Sequence, residues 1–118
     1  PVSLSFNSIS EERTIISTFL TNEHVDRAEP FSYTRQLFGV KIYLSPQGAE
    51  KYLNSIRSSV GKKVCFSVND KLVTDSIQRV QEDDLQYLPE PPFIPVLRLD
   101  ADIYEANMLA EGIMRGKQ

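Results

Sequence analysis

The sequence is short of the residues most reaction chemistry needs. Of 118 residues only one is cysteine, Cys65, and only one is histidine, His24; tryptophan is absent. A single cysteine excludes an internal disulfide and a cysteine-based zinc site. Its place inside an apolar strand pattern marks Cys65 as a small buried hydrophobe rather than a reactive thiol. No apolar run approaches the ~20 residues that cross a bilayer as a helix. There is no G-x-G-x-x-G or Walker loop to cradle a nucleotide, no nucleophile-elbow Gly-x-Ser-x-Gly, and no internal repeat. Basic residues are few: with 13 Lys and Arg against 16 Asp and Glu the net charge is −3, and Arg57, Lys62 and Lys63 do not make a nucleic-acid face.

What remains is ordinary globular composition, 41% hydrophobic and 25% charged, in a length that suits one domain spanning 1–118. Val2, Leu4 and Phe6 alternate with serines as a half-buried strand, and Asn7-Ser8 breaks it. Ser10 then reads as the N-cap of a helix over 10–20, with Ile15, Ile16 and Phe19 as its apolar stripe. Thr21 is a plausible cap for a short helical turn that Glu29-Pro30 ends. The stretch from Phe31 to Phe38 reads as a loop leading into a strand at Val40, Ile42 and Leu44, with Lys41 and Tyr43 on its wet face.

Ser45-Pro46 is a strong helix start, because serine accepts a backbone N–H and proline suits the first helical position. Ala49, Tyr52, Leu53, Ile56 and Val60 give that helix, over 46–60, one apolar stripe. Gly61 fits a left-handed stop. Val64, Phe66 and Val68 form a strand, and Asn69-Asp70 supplies a two-residue turn. Ser76–Val80 is a further strand or edge. Gln81–Pro95 carries four of the seven prolines and reads as an irregular surface excursion. Val96, Leu97 and Leu99 make a last short strand. Asp102 and Glu105 form a capping box for a helix over 102–115 that buries Ile103, Ala106, Leu109, Ala110 and Ile113. The fold class is therefore α+β: one mostly antiparallel sheet of about four or five strands, with about three helices packed on one face.

The segment LSPQGAEKYLNSIRSSVGKKVCFSVNDKLVTDSI resembles the head subdomain of the first extracytoplasmic region of the SecD/SecDF family, an accessory component of the bacterial Sec translocase. Leu44-Ser45-Pro46-Gln47-Gly48-Ala49 is similar to that family's strand end L-T-P-E-G-A, and Gly61-Lys62-Lys63 to its G-K-R. Asn69-Asp70-Lys71-Leu72-Val73-Thr74 follows its D-G-K-V-I-S turn. Asp102 to Ala106, then Leu109-Ala110 and Gly116, looks like its closing helix, and Leu20-Thr21, Val25 and Ala28 like the piece before its first head strand. The likeness spans roughly 20–116. It departs at the turn, where Asn69-Asp70 replaces Asp-Gly, at Asp75-Ser76 in place of Ala-Pro, and across Leu85–Pro95. It implies a non-catalytic, extracytoplasmic module that contacts polypeptide or an envelope protein complex in connection with export. No cofactor, metal or nucleic acid is implied. The proton-driven pulling attributed to SecDF needs membrane segments that this sequence does not contain. The start at Pro1 without Met leaves room for a signal or lipid-anchored segment ahead of it.

Reaction chemistry is thinly supported. His24 with Glu23 and Asp26 is one residue short of any constellation and reads as a solvated surface histidine. Glu82-Asp83-Asp84, Asp100 and Asp102 lack the alternation and glycine turn of a calcium loop. A small hydrolase and a structural subunit of an envelope assembly are the other readings. The candidate partner-binding residues are Phe31, Tyr33, Tyr87, Leu88, Phe93 and Ile94, large apolar groups in irregular, proline-rich segments. The alternative is that they cover the open face or edge of the sheet as a minor core.

Overall fold

The computed structural model describes residues 2–35, 37–84, 88–98 and 102–116, and the side chains of all of these except Asp84, Leu97 and Arg98. The strands are β1 (Leu4–Ile9), β2 (Ile15–Thr21), β3 (Val25–Ser32), β4 (Phe38–Leu44), β5 (Lys63–Val68), β6 (Lys71–Leu72), β7 (Gln78–Arg79) and β8 (Phe93–Arg98). The α-helices are α1 (Pro46–Arg57) and α2 (Ile103–Arg115), with short 3-10 turns at Asn22–His24, Thr74–Ser76 and Glu82–Asp84. The class is α+β, but the strands form two antiparallel sheets. Five strands make the first, in the order β2-β1-β5-β6 with β7 also on β5; three make the second, β3-β4-β8. Among the described residues there are two α-helices rather than three, and each serves a different sheet. α1 packs on β2 and α2 on β3 and β4.

The expected helix over 10–20 is the β1–β2 hairpin. Ser10 does accept a backbone N–H, but from Thr14 at 3.0 Å within a tight loop in which Arg13 takes φ 65°. β2 then runs back along β1 with two register shifts, which leave Ile16 and Phe19 as extra residues on its side of the ladder. Each bulge adds one residue to a period of two, so the apolar positions 15, 16, 19 and 20 mimic a helical stripe.

Asn7 and Ser8, read as a break, continue β1 instead. Asn7 is fully buried, with its amide donating to the Cys65 carbonyl at 3.2 Å and accepting the Thr18 hydroxyl at 2.8 Å. The Ser8 hydroxyl lies 2.7 Å from that of Ser17. Polar side chains satisfied in this way sit inside a sheet at little cost.

The turn expected after Thr21 is present, but Glu29-Pro30 ends no helix. It lies in β3, an edge strand, where the missing proline N–H breaks no ladder. Pro95 likewise sits in β8, the opposite edge, so the proline-rich excursion closes at Phe93 rather than at Pro95.

Three further local signals fold as read, whereas α1 is capped by Ser58 rather than stopped at Gly61, leaving Val60 outside it and 40% exposed. The Ser45 hydroxyl accepts the Gly48 N–H at 3.0 Å with Pro46 at the first helical position. Asn69 and Asp70 both take positive φ, 51° and 67°, in the β5–β6 turn. The Asp102 carboxylate accepts the Glu105 N–H at 2.9 Å. α1 is shorter than expected, ending at Arg57, and the chain turns through Gly61 at φ 83° before β5. On α2, Ile103 is 41% exposed, whereas Ala106, Ala110 and Ile113 are buried as expected.

One apolar core lies between the layers. Phe6 is its aromatic hub, with ring centroids 4.8 Å from Phe66, 5.2 Å from Tyr52 on α1 and 6.0 Å from Phe19. Val40 and Ile42 of β4 and Ile113 of α2 are at most 1% exposed. Burying each such side chain stabilises the fold by about 1.5–3 kcal/mol relative to exposure.

Candidate partner-binding face

The register of the second sheet sorts its residues onto two faces. Ala28, Pro30, Val40, Ile42, Ile94 and Val96 share the inner face, opposite one another across the ladder, and α2 covers it. The alternate residues face outward. Reading across the strands from β3 through β4 to β8, these are Arg27, Tyr43 and Phe93; then Glu29, Lys41 and Pro95; then Phe31 opposite Gly39. α2 lies against the inner face, and on the outer face Arg27, Glu29 and Pro95 are exposed.

Three of the six partner-binding candidates meet there. Phe31 packs edge-on against Tyr33, centroids 6.4 Å apart. Phe93 lies against Tyr43 at 5.4 Å. Tyr33 is 66% exposed. Phe31 and Phe93 are only half-buried, and they lie on the open face of a sheet rather than in a loop. Ile94 turns inward and joins the core, because period two puts it behind its neighbour Phe93. Leu88 is half-buried against that same core. Tyr87 lies outside the described residues.

Arg27, Glu29, Lys41 and Tyr43 of this face were not among the candidates. The Arg27 guanidinium stacks 3.9 Å over the Tyr43 ring while its Nε donates to Glu29 at 2.9 Å. The Lys41 ammonium sits 4.9 Å from the Phe93 centroid and 5.5 Å from that of Phe31. Alternation along β4 already put Lys41 and Tyr43 on the wet side. What the sequence concealed was β3, and with it the pairing that brings Arg27 and Phe31 alongside.

Two of the groups considered for reaction chemistry, His24 and Asp102, make contacts within the fold. His24 is only 14% exposed at its side chain, not a solvated surface residue. Its Nδ1 accepts the Thr21 N–H at 3.1 Å, and its carbonyl accepts the Ser45 N–H at 2.9 Å. Glu82 and Asp83 are exposed, Asp102 caps α2, and Asp100 lies outside the described residues. Among the described residues no group of three or more His, Cys, Asp or Glu side chains converges as metal ligands would. Cys65 is fully buried, its Sγ 3.3 Å from the Val73 carbonyl, and burial pushes its thiol pKa up.

No protein-family model and no curated protein matches the chain. Solved structures do. A structure of SecDF, described as a membrane component that enhances protein export, superposes with a TM-score of 0.73 at 12% identity over 95% of this chain. SecDF in its Super-membrane-facing form gives the same TM-score and identity over the same 95%. The likeness is one of fold. This chain spans 61% of the first of those chains and 18% of the second. No helix of the described residues is long and apolar enough to cross a membrane.

Proposed function

We propose that this protein is a non-catalytic, extracytoplasmic module that contacts polypeptide and acts in connection with protein export; SecDF, of similar fold, is described as enhancing protein export. The observation that carries this reading is the outer face of the second sheet. Phe31, Tyr33, Tyr43 and Phe93 stand on it with Arg27 and Lys41, while α2 lies against the inner face. Aromatic and arginine side chains are the residues interfaces favour. Both edges of that sheet carry a proline, Pro30 and Pro95, which disfavours strand addition there and leaves the face itself as the docking surface. The structural use of His24 and the burial of Cys65 support a binding role over a catalytic one. The extracytoplasmic location, and a lipid anchor ahead of Pro1, are parts of the same proposal; a precursor with a signal sequence supports the first, and an acylated cysteine after it the second.

Site-specific photocrosslinking tests the binding reading. A photoreactive residue at Tyr33 or Lys41 should capture a reduced, carboxymethylated, permanently unfolded polypeptide. The same residue at Met108, 71% exposed on α2, should not. The double variant Phe31→Ala/Phe93→Ala should lower capture several-fold while its melting temperature stays within a few degrees. Equal capture at Met108, or capture that falls only in step with stability, would overturn the reading.

A further inference from the structure

The charges on the outer face of the second sheet are not evenly matched. Glu29 stands directly across from Lys41 in the register, yet its carboxylate is held by Arg27 at 2.9 Å, and Arg27 is in turn stacked on Tyr43. Lys41 is left without an ion pair among the described residues. Its ammonium is flanked by two ring faces, Phe93 at 4.9 Å and Phe31 at 5.5 Å. Ring faces hold a cation in place but do not neutralise it. Gly39, between Phe31 and the β8 edge, contributes no side chain, so the surface beside the ammonium is low.

A fixed cation between two aromatic rings, in the middle of a sheet face with blocked edges, is complementary to one kind of segment. We infer that Lys41 is a carboxylate subsite: the face binds an extended stretch of polypeptide by an acidic side chain seated on the Lys41 ammonium, with the flanking apolar side chains of that stretch on Phe31 and Phe93. This rests on the polypeptide-binding reading above and adds a sequence preference to it. In an extended strand every second side chain points the same way, so an acidic residue with apolar neighbours at the i−2 and i+2 positions presents all three to the face. The attraction is electrostatic and partly exposed, so it weakens with salt.

The test uses end-blocked, fluorescein-labelled peptides of one extended sequence with a central Asp, Asn or Lys between apolar residues two positions away on either side. A fourth peptide carries Asn and a free C-terminal carboxylate. Binding is read by fluorescence anisotropy at low and high salt. The protein should prefer the Asp peptide over the Asn peptide by about five- to tenfold, a discrimination of the size one charge-assisted contact supplies. Lys41→Met should erase that preference, and Lys41→Glu should turn it toward the Lys peptide. Circular dichroism melting confirms that both variants are folded. If Lys41→Met kept the Asp preference, the inference would fall. It would fall too if the free C-terminus bound as well as the Asp side chain, since the subsite would then read chain ends. If all peptides bound equally and Phe31→Ala/Phe93→Ala abolished binding, the carboxylate subsite would fall while the polypeptide-binding reading stood. If none bound, both would fall.

Discussion

The Asn22 amide donates to the Ile113 carbonyl at 3.2 Å, joining positions 91 apart in the chain. The same nitrogen donates to the Val2 carbonyl at 2.9 Å, and the amide oxygen accepts the Leu4 N–H at 2.8 Å. One side chain thus ties the start of β1 to the last turn of α2, helped by the Val2 N–H on the Gly112 carbonyl at 2.8 Å. It is the seam between the two sheets, since β1 belongs to one and α2 covers the other.

Replacing Asn22 should therefore unfasten both ends together. Asn22→Ala leaves three partly buried backbone groups without that partner, and we expect a loss of roughly 2–4 kcal/mol in chemical denaturation. Asn22→Asp keeps the acceptor for Leu4 but points a carboxylate oxygen at two carbonyls, so it should do no better than alanine. If Asn22→Asp proved as stable as wild type, the two donated bonds would be shown to contribute little. Hydrogen exchange should locate the loss at the amides of β1 and the end of α2.

A second joint fixes Gly48. A Cβ built on it would stand 2.6 Å from the His24 carbonyl oxygen and 3.0 Å from the His24 Cβ. That carbonyl cannot retreat easily, because it accepts the Ser45 N–H that begins α1. Gly48→Ala would normally favour a helix. Here we expect the clash to outweigh propensity, with a net destabilisation of about 1–3 kcal/mol measured by urea melts. A gain in stability would mean that the helix start shifts to make room.

These joints show what could be read in advance. Local chemistry was legible: the Ser45-Pro46 start, the Asn69-Asp70 turn and the Asp102 cap are each settled by neighbours in the chain and form as expected, while of the expected capping box only the Asp102 half is made. The failures lie where a distant partner decides. Ile15, Ile16, Phe19 and Leu20 carry a helical spacing only because β2 is bulged twice against β1. The signal that could have corrected it was composition, since Thr14, Ile15, Ile16, Thr18 and Thr21 are β-branched. Pro30 concealed β3 in the same way: proline argues against a strand unless the strand is an edge, and edges are a property of the assembled sheet. The candidate face followed that error. Phe31, Tyr33 and Phe93 were singled out as large groups in irregular segments, but Arg27 and Lys41, which give the face its charge, become neighbours only through the β3–β4–β8 register.

Cys65 should behave as a core residue. It is fully buried, with Sγ also 3.4 Å from the Ser76 hydroxyl, and burial raises its pKa above the ordinary thiol value. The native protein should fail to react with a thiol-specific chromogenic disulfide at mildly alkaline pH, and should react once urea unfolds it. Since the thiol ionises more readily in the unfolded chain, it erodes stability as pH rises above the ordinary thiol value. Cys65→Ala should remove that alkaline slope at a cost of about 1 kcal/mol near neutrality. Rapid modification of the native state would show that the segment Val73–Ser76, which covers Cys65 beside β5, opens readily.

Glu11 offers the acid-side counterpart. Its carboxylate lies in the β1–β2 loop and takes Arg79 Nη2 of β7 at 2.8 Å and Lys63 Nζ of β5 at 3.1 Å. Arg79 also donates to the Gly61 carbonyl at 2.8 Å, so this single carboxylate pins the hairpin tip to the turn that precedes β5. The hydrogen bond from Arg79 and then that from Lys63 hold the carboxyl below its usual pKa. A depressed carboxyl binds its proton later in the folded chain than in the unfolded one. Its contribution is therefore complete above the ordinary carboxylate pKa and disappears as pH falls through the lowered value. Glu11→Gln should lower the melting temperature slightly at neutral pH, where the site is exposed and screened by solvent. The gap to wild type should narrow steadily below the ordinary carboxylate range and close in strong acid. It should also shrink in high salt, as expected for charges at the surface. A gap that stayed constant from neutral to acid pH would assign the loss to hydrogen-bond geometry that glutamine cannot reproduce, and not to the charge on Glu11.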